Sequence, residues 1–484
     1  MAERLNIVLI TADQMRGDCL SIAGHPDVET PVLDTMANHG IRFGRAYSAT
    51  PTCIPARAAL LTGLTQHSHG RVGYLDGVDW NYPVTMPGRF AAAGYHTHCS
   101  GKMHVWPPRS LMGFHSIDLH DGFLSHRRSG TSARYWWNRV DDYLPFLKRE
   151  LGPDADVGLD GIDCNSWAAK PYMMPEHLHP TNWTTQKAVD FLRRRDTTKP
   201  FFLWASYVAP HPPLTPPPCY FDRYLRRSLR APAIGTWAAG EAIRHPDFDS
   251  FEGQLSGYQI HEMQAGYYGL ISHLDAQVGR LLRALKDEGV LHNTIVLFTS
   301  DHGEMLGDHR MFRKSQPFNG SVQIPLILYD PGRKLAVSPG TEGEQLAELR
   351  DVMPTLLSAA GIGIPETVEG RDLLFDVRTD SGRDYLHGEH LAQDRPRSAQ
   401  YIVTKDRKYI WYSDTGAEML FDLQEDPMEL HDCSGIPEYQ AELVQLRQIL
   451  VQELAGREEG YSDGCTLIRG CTPVAVLEEK TNRC

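Results

Sequence analysis

Two apolar runs, 5–11 and 294–300, restrict the fold of this chain more than any other feature. Each has a continuous Ile/Val/Leu/Phe centre and no polar–apolar alternation, the pattern of a strand buried on both faces of a parallel sheet. Each also ends on chemistry: Asp13-Gln14 follows the first, and Asp301-His302-Gly303 the second. An aromatic run, 200–207, ends at Pro210-His211-Pro212-Pro213, and an extended stretch, 95–100, delivers Gly101-Lys102-Met103-His104. A further strand is expected at 324–329. Between these lie helical patterns: 30–39 entered through Thr30-Pro31, one through 89–93 stopped by Gly94, then 184–195, 260–288 and 351–360. Strands alternating with helices predict an α/β fold, a large mostly parallel sheet with helices on both faces. In such sheets ligands gather at the C-terminal edge of the strands.

Residues 105–180 show no clear period and read as long loops over that edge, and 214–255 read as a Pro-rich insertion. From about 380 the texture changes to short strands at 401–404, 408–412 and 419–423, followed by a helix at 438–454. The expected organisation is a catalytic α/β domain at 1–378, a small C-terminal α+β subdomain with an antiparallel sheet at 379–460, and a tail at 461–484.

The chain has 484 residues, enough for a large core, and a net charge of −13. That charge argues against nucleic acid or an acidic membrane surface as partner. An anionic substrate would need a local positive pocket. No run is long enough to span a membrane, and the first residues lack a signal peptide's apolar stretch, so a cytoplasmic location and no membrane partner are expected. The nine Cys are scattered, odd in number and without a CxxC pair, which fits a reducing compartment rather than a disulfide framework. Cys465, Cys471 and Cys484 cluster in the tail. A homo-oligomer is compatible with all of this.

The stretch 48–63 begins as a Pro-interrupted loop and turns into a short helix. Pro55 suits a first helical turn, Ala58 to Leu61 are strong helix formers and Gly63 is a natural stop. Cys53 is therefore expected just ahead of a helix N-terminus, where N–H groups and the dipole favour an anion. Arg57, about one turn on, can reach back to it. The residues thus describe a nucleophile at an anion hole beside a cation, although an arbitrary Cys in a tight turn is more often a small buried residue.

Cys53-Ile54-Pro55-Ala56-Arg57, followed by Ala58-Ala59-Leu60-Leu61-Thr62-Gly63, resembles the signature of the type I sulfatases, within the alkaline phosphatase-like superfamily. The resemblance covers roughly residues 5–430. It implies an alkaline phosphatase-like fold, and that Cys53 is oxidised to formylglycine by a maturation enzyme. It further implies one divalent cation, Ca2+ first with Mn2+ or Mg2+ as alternatives, held by Asp13, Gln14, the modified Cys53, Asp301 and His302. Two carboxylates, an amide oxygen and an imidazole suit such a cation. Lys102 and His104 match the family's Gly-Lys-x-His, His211 the histidine facing the leaving group, and Lys314 the second sulfate-binding lysine. By the same resemblance Arg57, Lys102 and Lys314 clamp the sulfate oxygens, His211 protonates the departing alcohol and His104 takes a proton from the formylglycine hydrate. The expected substrate is a small sulfate ester, whether aryl, small-alcohol or sugar. Glu304, Asp308 and His309 are expected to support the metal ligands. Trp106, Arg109, His115, His177 and His179 read equally well as pocket wall or as loop surface.

Gln14 and His302, where many sulfatases carry Asp and Asn, resemble the phosphonate monoester hydrolases of the superfamily. A phosphonate monoester or phosphodiester hydrolase on the same scaffold is therefore the alternative. Asn319, Gly320 and Gln323 also depart from the sulfatase pattern, and leave a more remote reading as a non-catalytic anion- or metal-binding relative.

Overall fold

The computed structural model describes residues 4–121, 140–156, 161–238, 245–391 and 398–478. Cys484 lies outside them. Among the described residues, ten strands precede the C-terminal sheet: β1 (Asn6–Asp13), β2 (Gly40–Phe43), β3 (Ala46–Tyr47), β4 (His96–Gly101), β5 (Ser116–Leu119), β6 (Phe201–Pro210), β7 (Thr294–Ser300), β8 (Leu326–Tyr329), β9 (Thr341–Gly343) and β10 (Ala347–Glu348). Eight of them form one sheet in the order β5-β4-β6-β1-β7-β8-β2-β9, and β3 pairs with β10. β1 runs parallel to β6 and β7, and β4 parallel to β5 and β6. β8 is the reversed strand, antiparallel to both β7 and β2.

Along β1 every residue is buried, and successive side chains face opposite sides of the sheet. Val8 and Ile10 enter one core with α1 (Pro31–Asn38), and Ile7 and Leu9 enter a second core with α2 (Cys53–Thr62) and α3 (Met86–Ala92). A short helix, α4 (Tyr143–Leu151), has its own small core with Leu178 and Trp183. The first core is completed by α5 (Pro180–Arg194), α6 (Pro218–Leu225) and the 31-residue α7 (Gly257–Asp287), the second by α8 (Val352–Ala359). Ser256 and Gln259 close the start of α7 with a reciprocal capping box.

β11 (Leu386–Leu391), β12 (Ser398–Val403), β13 (Arg407–Tyr412) and β14 (Glu418–Asp422) form an antiparallel sheet in chain order. One face packs on α9 (Gln440–Glu453) through Tyr409, Trp411 and Leu420. The other, through Leu386, Tyr401 and Phe421, packs on Tyr47, Met305 and Phe318 of the large domain. Residues 461–478 are laid back over the protein: Tyr461 and Leu477 are buried, and Ala475 bonds to residues 72 and 73.

Several elements differ from expectation. α2 begins at Cys53 itself, with Thr52 as its N-cap and Pro55 at the third helical position. The first turn has no intrahelical partner for its N–H groups, so Pro55 loses nothing there. The 105–180 region contains β5 and α4 as well as loops. β5 is a half-exposed edge strand, too short and polar to show a period. The 214–255 insertion contains α6, and the subdomain sheet has a fourth strand, β11, whose His387, Glu389 and His390 hid it. Among the described residues no helix is long and apolar enough to cross a membrane.

Candidate active site

Four neighbouring parallel strands, β4, β6, β1 and β7, end on the same edge of the sheet. They deliver Lys102, His211, Asp13 with Gln14, and Asp301 with His302. α2 brings Cys53 to that edge at its first helical position. Asp13, Cys53, Asp301 and His302 each offer a donor atom, and the four atoms lie within 4.8 Å of one another. All four residues are buried.

The donor set fits a divalent cation. His302 Nδ1 lies 3.0 Å from the Gly303 carbonyl, which can only accept, so Nδ1 carries a proton and Nε2 faces the cluster. Nε2 lies 3.3 Å from Cys53 Sγ and 3.6 Å from Asp13 Oδ1. Gln14 lies beside the cluster, its backbone N–H donating to Asp301 Oδ1 at 3.1 Å. Its amide nitrogen donates to Glu304, which turns Oε1 to a neighbour 2.7 Å away, Lys314 Nζ. Its backbone is left-handed at φ 70°, a conformation non-Gly residues rarely hold, and it is pinned by Tyr267 Oη donating to its carbonyl at 2.6 Å. Glu304 also accepts from the Leu306 and Arg313 N–H groups. It therefore holds the Gln14 side chain in place. Asp308 instead pairs with Arg16 at 2.7 Å, and His309 Nδ1 accepts from the Gly235 N–H at 3.1 Å.

Cations surround the cluster. Lys102 Nζ bonds to Asp13. Arg57, fully buried, donates from Nε to Asp301 Oδ2 at 3.0 Å and from Nη1 to the Lys102 carbonyl at 2.8 Å and Ser206 Oγ at 3.0 Å. Its Nη2 has no hydrogen bond and lies 3.7 Å from Asp13 Oδ2. Lys314 Nζ stands 3.7 Å from Cys53 Sγ and 2.6 Å from His211 Nε2. Burial alone would raise the Cys53 thiol, but Lys102, Lys314 and His302 hold it well below the ordinary thiol range. Burial, reinforced by Lys314, lowers His211 to about 4. Asp13 falls to about 2, burial and Cys53 being outweighed by Lys102, His211 and Arg57, whereas burial and the Asp13 charge push Asp301 up.

Asp121 had no signal in the sequence beyond following a weak strand. Its carboxylate accepts the N–H groups of Met103 at 2.9 Å and His104 at 2.9 Å, fixing the turn that carries His104 at φ 57°. Ser206, inside an apolar strand, was equally silent. His390 on β11 is buried with both ring nitrogens lacking hydrogen bonds, and burial and the His302 charge lower it to about 3. Of the pocket candidates, Arg109 pairs with Asp142 at 3.0 Å and His115 with Thr97 at 2.7 Å. His179 caps α5 and faces the Thr215 carbonyl at 3.2 Å, and His177 is exposed. The Trp106 carbonyl accepts the Trp80 N–H at 2.8 Å.

Comparison with known proteins adds to this geometry. The family model described as sulfatase matches residues 5–362, and that of the N-sulphoglucosamine sulphohydrolase C-terminal region matches 307–456. An arylsulfatase of Clostridium perfringens is 49% identical over 479 residues, covering 98% of this chain and 99% of that protein. A multifunctional alkaline phosphatase superfamily protein of Trinickia caryophylli is 29% identical, covering 90% and 93%. The crystal structure of a phosphonate monoester hydrolase of Agrobacterium radiobacter superposes with a TM-score of 0.73 at 26% identity, covering 93% and 95%.

Proposed function

The chain belongs to the sulfatase family and is a sulfuric ester hydrolase; from that premise we propose that it cleaves a small sulfate monoester with position 53, as formylglycine, for its nucleophile. The observation that carries this is the placing of Cys53 at the N-terminus of α2 inside a ring of metal-type donors and three cations. The division into a catalytic domain at 1–378, a subdomain at 379–460 and a tail at 461–484 belongs to the same reading.

In this reading Asp13, Gln14, Asp301 and His302, with the position 53 side chain, hold one divalent cation, Ca2+ first and Mn2+ or Mg2+ as alternatives. Such a cation supplies Lewis-acid polarisation of an oxygen at position 53. Formylglycine hydrate brings two hydroxyls on one carbon, so a sulfate group taken up at one is released through the other. Lys102, Lys314 and Arg57 hold the sulfate oxygens where charge develops. His104 takes the proton from the second hydroxyl. His211 and Lys314, in contact through His211 Nε2, keep a proton beside the leaving oxygen and deliver it to the departing alcohol.

The test is the mass of the tryptic peptide 46–57 from protein made together with a formylglycine-generating maturation enzyme. An aldehyde or its hydrate at position 53 supports the mechanism. An unmodified thiol in enzyme that nonetheless hydrolyses sulfate esters refutes it.

Gln14 and His302, with the likeness to the Agrobacterium phosphonate monoester hydrolase, favour a second activity at the same site. Aryl phosphonate turnover exceeding aryl sulfate turnover would make that activity the main one.

A further inference from the structure

Thr11 on β1 and Ser206 on β6 place hydroxyls in the middle of a buried, largely apolar sheet, and each is 1% exposed or less. They stand opposite each other in the β1–β6 register. Trp204, two residues before Ser206, shares its face of the strand. A buried hydroxyl costs stability unless it is bonded, and valine or alanine would fit both strands without one.

The two hydroxyls form a chain that ends on the active site. Trp204 Nε1 donates to Thr11 Oγ1 at 2.9 Å, and Thr11 Oγ1 donates to Ser206 Oγ at 3.0 Å. Ser206 Oγ also accepts from Arg57 Nη1 at 3.0 Å. The direction is fixed at both ends, because an indole N–H and a guanidinium can only donate. Thr11 Oγ1 therefore receives the indole proton and turns its own toward Ser206, whose oxygen accepts twice. The Arg57 guanidinium also lies over the Trp204 ring, 5.8 Å from its centroid.

A guanidinium is a rigid planar fork of N–H donors. Nε spends its N–H on Asp301, and Nη1 spends its pair on the Lys102 carbonyl and Ser206. Fixing these three bonds fixes the plane, and with it Nη2. Among the described residues Nη2 makes no hydrogen bond although Arg57 is fully buried, and Asp13 Oδ2 lies 3.7 Å away. A buried donor left without an acceptor is costly, which marks Nη2 as the place of an acceptor that arrives with the substrate. Resting on the sulfatase reading above, we propose that Thr11 and Ser206, in line with Trp204, are positioning residues that lock the Arg57 fork and hold its Nη2 N–H groups for the oxygens of the sulfuryl group in transfer.

The experiment measures kcat and KM for para-nitrophenyl sulfate in Thr11→Val and Ser206→Ala, each of which removes one hydroxyl and keeps the strand. kcat is expected to fall about tenfold to hundredfold with KM nearly unchanged, because the lost alignment matters where charge develops. Thr11→Ser, which keeps the hydroxyl, should recover most of that rate. A double-mutant cycle with Arg57→Lys separates this from a merely structural role. If Ser206 acts through Arg57, Ser206→Ala costs less than about threefold in the Arg57→Lys background, while its effect on melting temperature is the same in both. Losses that multiply in full, or wild-type kcat in both variants, overturn the proposal. If neither variant folds, Ser206→Cys, similar in shape and a weak acceptor, takes their place. Calorimetric titration with orthovanadate, which can take the five-coordinate shape of a sulfuryl group in transfer, reads the same loss without turnover. Equal vanadate affinities in wild type and variants go against the proposal. A wild type that hydrolyses no sulfate ester counts against the sulfatase reading, while the vanadate affinities still decide the role of Thr11 and Ser206. A wild type that also binds no vanadate overturns both.

Discussion

Lys314 Nζ lies 2.6 Å from His211 Nε2, and the other ring nitrogen of His211 faces the Pro212 carbonyl at 2.8 Å. Since that carbonyl can only accept, Nδ1 carries a proton and Nε2 receives one from the lysine. The imidazole is thus neutral in the resting protein, as its lowered pKa of about 4 also requires, and the pair shares one proton between Lys314 Nζ and His211 Nε2.

A poor leaving group needs that proton more than a good one does. His211→Ala is expected to lower kcat/KM for an alkyl sulfate by about a hundredfold to ten-thousandfold, and for para-nitrophenyl sulfate by much less. Steady-state kinetics on the two esters measures the difference. An equal loss on both would remove His211 from proton delivery.

Glu304 decides which way the Gln14 amide points. In Glu304→Gln the new amide can still accept the Leu306 and Arg313 N–H groups, but its own nitrogen then meets that of Gln14. Relief comes from flipping the Gln14 amide, which turns its oxygen away from Lys314 Nζ and out of the orientation in which it would serve as a ligand. Divalent-cation affinity should fall about ten- to hundredfold, as read by calorimetric titration or chelator competition. An unchanged affinity would show that the Gln14 oxygen is not a ligand.

Gly101 closes β4 at φ 104°, and a Cβ there would lie 1.9 Å from the Ser206 carbonyl oxygen. That carbonyl accepts the Lys102 N–H at 2.9 Å. Gly101→Ala must push β4 from β6 and carry Lys102 and the Ser206 support of Arg57 with it. The expected result is a loss of about 1–3 kcal/mol in stability and of about a hundredfold in kcat. Thermal melts and kinetics test both parts. Wild-type activity in the variant would mean the strand ends tolerate the shift.

On β11, Glu389 forms a two-point ion pair with Arg457 at 2.7 and 2.9 Å, both side chains being buried. Burial alone would raise the Glu389 carboxyl, but Arg457 brings it down from 4.5 to about 2. Because the folded value is the lower one, its contribution of about 3 kcal/mol is present above pH about 4.5 and is lost as pH falls toward 2. Melting temperatures of the wild type should therefore drop across that window. Arg457→Leu leaves a buried unpaired carboxylate and should cost about 3–5 kcal/mol at neutral pH. Glu389→Gln/Arg457→Leu should recover part of that loss and flatten the acid dependence. A single variant as stable as the wild type would contradict the pairing.

The strand ends were legible because apolar runs stop abruptly at Asp13, His211 and Asp301, and a buried parallel strand leaves few other readings for such a stop. The cations around Cys53 were legible only as separate motifs. Nothing in the sequence tells that Arg57 spends three of its contacts on Asp301, Lys102 and Ser206. β11 escaped notice because its charge is neutralised by Arg457, a partner far along the chain. Asp121, and Asp76 at 3.5 Å from His104 Nε2, escaped because a carboxylate in a loop looks the same whether it faces water or a histidine. Each of these depends on a long-range contact that local pattern cannot carry.

Because Ala475, Leu477 and β11 hold residues 70–73, the wall beside His104 is completed by residues translated long after it. A nascent chain that already carries everything from Asp13 to Lys314 still lacks the support for Tyr74 and Asp76. The full packing around His104 therefore arrives late in synthesis, once the C-terminal sheet and the segment around Ala475 have left the ribosome. A late stop codon would spare Asp13, Cys53, Asp301 and His302 and still deliver a protein in which residues 70–73 have lost these bonds.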